Sequence, residues 1–124
     1  MQISRNFMVI GVAYLFLGIG LGMYMGGSGD HSLAPLHAHI NLLGFTLMTV
    51  FGLVYRVIPA MGATTLARAH FWLHQAGALI LLAMLSMLLT GRITEAGMAP
   101  LAPLAELLVL LGVASFAYNV WHNA

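Results

Sequence analysis

Residues Pro35 to Pro59, PLHAHINLLGFTLMTVFGLVYRVIP, form a long apolar run with a proline at each end and two histidines near its start. Proline is tolerated in the first turn of a helix, where its missing N–H has no intrahelical partner anyway, and it closes a helix at the far end. The run therefore reads as one helix from Pro35 to about Ile58, long enough to cross the ~30 Å hydrocarbon core of a bilayer. His37 and His39 are two positions apart, which directs them about 200° from one another on an α-helix. They cannot bind one metal ion together from that helix. Either each meets its own cofactor or packing partner, or both lie close to the headgroups and contact water or a loop. A histidine inside an apolar span is costly and usually has a defined partner.

The rest of the chain carries the same apolar signature. Hydrophobic residues make up 61% of its 124 residues and charged ones 6%, and the mean hydropathy is +0.98. That is too little polar surface to cover a water-soluble globule, so the composition describes an integral membrane protein. The four basic residues are all arginines, and the formal charge of +1 gives no reason to expect a nucleic-acid partner. Cysteine is absent. Disulfides, thiolate metal sites and cysteine nucleophiles are thereby excluded, and histidine is left as the main transition-metal ligand.

Three further spans accompany the Pro35–Ile58 helix: about 6–26, 69–90 and 101–121. The expected fold is an all-α, four-transmembrane-helix bundle forming a single domain over 1–124. MQISRNF and the apolar run after it lack a small-residue cleavage site and read as a retained first helix. Gly11, Gly18, Gly22 and Gly26 recur along it as a stripe that lets a neighbouring backbone approach closely. Arg5, Arg56 and Arg68 mark one set of helix ends and Arg92 the other, so the positive-inside rule puts both termini in the cytoplasm.

The six histidines then divide into two groups. His31, His37 and His39 lie toward the outer face, and His70, His74 and His122 toward the inner. His31, in the turn-rich GGSGDHSLA, is expected to be solvated. His70 and His74 are one turn apart and could both reach one ion. With Arg68, Phe71 and Trp72 beside it, His70 reads instead as part of an interfacial belt, and His122 reads likewise. Glu106 is the one carboxylate able to enter the hydrocarbon, as a proton relay or with its head among the lipid headgroups. The nine methionines, Met23 and Met25 included, read as packing.

Three motifs in order give the chain a family resemblance. His37-Ala-His39 followed by Gly44, Gly52 and Pro59 resembles the tenth helix of the catalytic subunit of heme–copper oxidases, above all the cbb-type oxidases and nitric oxide reductases. LARAHFWLHQAG (Leu66 to Gly77) resembles the start of that family's eleventh helix, and AYNVW (Ala117 to Trp121) the end of its twelfth. The resemblance covers Pro35 to Trp121, and the first helix takes the place of the ninth without a diagnostic motif. It implies that His37 is the proximal ligand of one heme and His39 an axial ligand of a second. It also implies that Arg92 pairs with heme propionates, which would explain an arginine on the outer side.

The departures from the family matter as much. Its subunit has twelve helices in three arcs of four, and this chain has one arc. It lacks the second-helix histidine of the low-spin heme, the three-histidine copper site and the cross-linked tyrosine, and it carries His74 where the family usually has an apolar residue. PLHAHINLL also looks like the family's second helix, in which PLH supplies the opposite axial histidine. The expectation is a homo-oligomer, most simply a trimer, with heme b at subunit interfaces between His37 of one protomer and His39 of the next. The implied function is electron transfer in a bacterial inner membrane, with a protein or quinol as redox partner and copper possible but not expected. Two alternatives stand beside it. One is an oxidase-like, nitric oxide reductase-like or gas-binding heme protein with an open axial position. The other is a heme-free histidine metal site or structural partner of a larger oxidase.

Overall fold

A computed structural model describes residues 1–124. Four long helices carry the chain: α1 (Ile3–Ser28), α2 (Ala34–Val57), α4 (Thr65–Leu89) and α5 (Leu101–Asn123), with a short helical turn α3 (Pro59–Gly62) after α2. They contain 26, 24, 25 and 23 residues, and a rise of about 1.5 Å per residue lets each cross a bilayer. The fold is an all-α, four-helix membrane bundle, and the chain is a multi-pass membrane protein.

Local chemistry sets the helix ends. Gly29 closes α1 with φ of 73°, a left-handed conformation that glycine takes without a Cβ penalty, and its N–H reaches Met25 O at 3.0 Å. Pro59 forces Ile58 out of the helical region, to φ −119° and ψ 80°, and ends α2. The third span begins at Thr65 and not at about Ala69, because Thr64 caps it: the Thr64 hydroxyl accepts from Ala67 N at 3.1 Å. Hydropathy alone placed the boundary after Arg68, whereas the cap lies before it.

Only 25 of 124 residues are buried, and large apolar side chains such as Phe16, Val57 and Leu110 are mostly exposed. In water such a surface would collapse; in a bilayer it is the solvated surface. Between helices, small residues set the spacing. A Cβ on Gly44 would meet Tyr14 Cγ at 2.5 Å, and one on Gly52 would meet Met8 Cγ at 2.6 Å, so α1 and α2 lie in close contact. The α1 stripe contributes Gly11 against Met48, Gly18 against Asn41 and Gly22 against His37, whereas Gly26 has nothing within 4 Å. Gly77 performs the same task between α4 and α5, where a Cβ would come within 2.9 Å of Ala105 O.

The α1–α2 and α4–α5 pairs are joined through aromatic rings. Phe7 of α1 packs 5.0 Å from Phe71 and 5.7 Å from Phe51, and Phe51 packs 4.8 Å from Phe116 of α5. Asn119 fastens the end of α5 to the α3 turn by donating to Met61 O at 3.1 Å and Thr64 Oγ1 at 3.0 Å. It lies at the centre of AYNVW and is wholly buried.

Candidate functional site

His39 is the α2 histidine that faces outward. It sits in the first turns of α2, exposed, and its Nδ1–H donates to Pro35 O at 2.7 Å. A carbonyl can only accept, so the bond assigns the ring proton to Nδ1 and leaves the Nε2 lone pair directed away from the backbone. Histidines that bind metals are commonly held this way, one nitrogen on a carbonyl and the other on the ion. On the surface below it, Leu42, Val50 and Leu53 are about half exposed or more.

His37 is turned the other way. It is half-buried against α1, where a Cβ on Gly22 would meet its Cε1 at 3.0 Å. Asn41 Nδ2 donates to His37 Nε2 at 3.3 Å, and His37 Nδ1 is buried without a partner. The two histidines thus occupy opposite faces of α2. Arg92 is exposed in the loop between α4 and α5, at the same end of the bundle as His39.

The core toward the end that bears Arg5, Arg56 and Arg68 holds a second histidine pair. His70 and His74 are both wholly buried, which corrects the expectation that His70 belongs to an interfacial belt. Of that cluster Phe71 is buried as well, whereas Arg68 and Trp72 face outward, Trp72 62% exposed. Tyr55 Oη and His70 Nδ1 share a hydrogen bond of 2.8 Å, and Phe51 meets the His70 ring at 4.4 Å. His74 Nε2–H donates to Leu43 O at 3.0 Å.

This last bond has a local cause. Residues Ile40–Thr46 form a π-helical turn, in which Leu47 N–H bonds Leu42 O, one residue further back than an α-helix would use. His74 supplies a donor to the carbonyl so passed over. His70 Nε2 and His74 Nδ1 have no partner, and the rings lie 6.1 Å apart between centroids. The signal missed in the sequence is the stripe Ala67, His70, His74, Gly77 and Ala78, which follows one helical face of small and polar residues.

The other candidates disperse. His31 is exposed and bonds Gly29 O at 3.1 Å, His122 is exposed beside Tyr118, and Glu106 is exposed on α5. No three histidine or acidic side chains converge within the chain. Neither a protein-family model, nor a curated protein, nor a solved structure matches the chain. The likeness to heme–copper oxidases rests on the motif residues alone.

Proposed function

We propose that the protein is a heme-b-binding electron carrier of a bacterial inner membrane, with both termini cytoplasmic, in which His39 is the axial ligand at an interface between copies. The observation that carries this reading is the His39 ring: exposed on the lipid-facing side of α2, proton on Nδ1 held by Pro35 O at 2.7 Å, Nε2 open. The donor set fits a heme, since a neutral imidazole suits iron and the neighbouring Leu42, Val50 and Leu53 suit a porphyrin face. Arg92 would pair with a propionate at that end. Heme b supplies one-electron redox chemistry. The chain's own residues would fix the ligand tautomer and offer an apolar surface beside it.

A six-coordinate heme then draws its second histidine from another copy. His37 has its Nε2 engaged by Asn41 and its ring against Gly22. This favours His39 from two copies around a two-fold axis, hence a dimer, whereas a trimer pairing His37 with His39 needs His37 to turn outward. The same observation favours a second reading. A single His39 without a facing copy gives five-coordinate heme, which binds gases.

One measurement separates these readings: the absorption spectrum of detergent-purified protein, oxidised, reduced, and reduced with carbon monoxide. Sharp reduced α and β bands that carbon monoxide leaves unchanged fit the bis-histidine carrier. A carbon monoxide shift selects the open-site heme protein. Absence of a Soret band after heme supplementation refutes both and returns the chain to a heme-free histidine site or structural role.

A further inference from the structure

Two cavities meet at the end of the bundle that bears Arg5, Arg56 and Arg68. The larger, about 440 Å³, lies between the start of α1 and the α2–α3 corner, and Arg5, Arg56 and Gln2 are in its wall. The smaller, about 320 Å³, lies between α1 and α4, and its wall is largely apolar: Val9, Ile10, Phe71 and Trp72, with Arg5. Met1 and Arg5 border both, so a cationic cup and an apolar groove adjoin at the start of α1.

Neither wall contains a carboxylate. The chain's acids, Asp30, Glu95 and Glu106, all lie toward the opposite end of the bundle together with Arg92. Three arginines therefore face one headgroup layer with no acidic side chain among them. An occupant of both spaces has to be anionic at one end and apolar along the other. A free anion satisfies only the cup, and a neutral acyl chain only the groove.

We propose that the joined cavities bind an anionic glycerophospholipid, with its phosphate at Arg5 and Arg56 and one acyl chain along Val9, Ile10 and Trp72. Guanidinium groups match phosphate oxygens in charge and in fork geometry. Tryptophan suits the boundary between headgroup and chain, where its ring is apolar and its N–H wet. Basic pockets between membrane helices are a recurrent setting for acidic lipid headgroups. This site lies at the opposite end from His39 and stands independently of any heme.

The test uses the full chain with Trp121→Phe, which leaves Trp72 as the single tryptophan, in nanodiscs of phosphatidylcholine doped with acyl-brominated lipid. Brominated phosphatidylglycerol is expected to quench Trp72 more strongly than brominated phosphatidylcholine at equal mole fraction. Arg5→Gln and Arg56→Gln should each lower that preference about fivefold, while Arg68→Gln, outside both walls, leaves it intact. Equal quenching by the two lipids overturns the proposal. An equal loss in Arg68→Gln also overturns it, by assigning the preference to the general field of the basic end. If inorganic phosphate abolishes the preference while brominated phosphatidylcholine quenches undiminished, the cup is a free-anion site and the lipid assignment fails.

Discussion

His74 on α4 donates its Nε2–H to the main-chain oxygen of Leu43 on α2, 3.0 Å away, at the π turn in the middle of the second span. The bond joins the two helical pairs at a point where a backbone carbonyl has left its regular ladder. In lipid no water is present to satisfy that oxygen, so the histidine takes water's place.

Replacing His74 by phenylalanine keeps a ring in the aromatic cluster and removes the donor. A stability loss of about 1–2 kcal/mol is expected, near the upper range for single hydrogen bonds in membrane bundles. His74→Gln, which retains an N–H, should recover part of it. Unfolding in mixed detergent–SDS micelles reads the difference, and wild-type stability in the phenylalanine variant would show that Leu43 O needs no partner.

Gly77 and Gly26 form a matched pair of tests. A Cβ at Gly77 lies within 2.9 Å of Ala105 O and Val109 N, which are backbone atoms that can yield only if α4 and α5 separate. Gly77→Ala should cost about 1–3 kcal/mol, as overpacking does. A Cβ at Gly26 meets nothing within 4 Å, and Gly26→Ala should change stability by less than about 1 kcal/mol. The same micelle assay compares them.

The two histidines of the second span should behave differently in the heme spectrum. His39→Ala is expected to abolish the low-spin bands, because it removes the outward Nε2. His37→Ala should retain them and lower stability instead, by emptying the space against Gly22. Loss of the spectrum in His37→Ala, with His39→Ala unaffected, would reverse the assignment.

Asp30 gives the loop before α2 a defined pH response. The Ser32 N–H donates to its carboxylate at 3.0 Å and holds the Asp30 pKa below the ordinary value. A depressed carboxylate stabilises the folded turn above its unfolded pKa, about 3.9, and that contribution disappears as pH falls through the lower folded value. The Ser32 amide resonance should follow that acid transition, and Asp30→Asn should remove it. An amide shift independent of pH would show that the turn holds without the carboxylate.

Composition and hydropathy by themselves determined that this is a four-span membrane protein, because a chain with 6% charged residues has no soluble alternative. The positions of Pro35 and Pro59 in the chain similarly located the ends of the second span, since each acts through its own backbone, whereas the first span runs past the expected Gly26 to the cap at Gly29. The opposed directions of His37 and His39 were equally legible, being a property of one helix.

Which of the two histidines faces outward was decided by tertiary structure. It depends on where α1 lies, and Gly22 sets that by making room for His37. The burial of His70 and His74 was likewise hidden, because interfacial aromatic belts and polar core stripes use the same residue types. Only the placement of Tyr55, Phe51 and the π turn opposite them distinguishes the two. Arg5, Arg56 and Trp72 are far apart in sequence, so the cavities at the basic end exist only once α1 has been laid against α2 and α4. Local backbone rules act within a few residues, whereas these sites are made by side chains brought together from different helices.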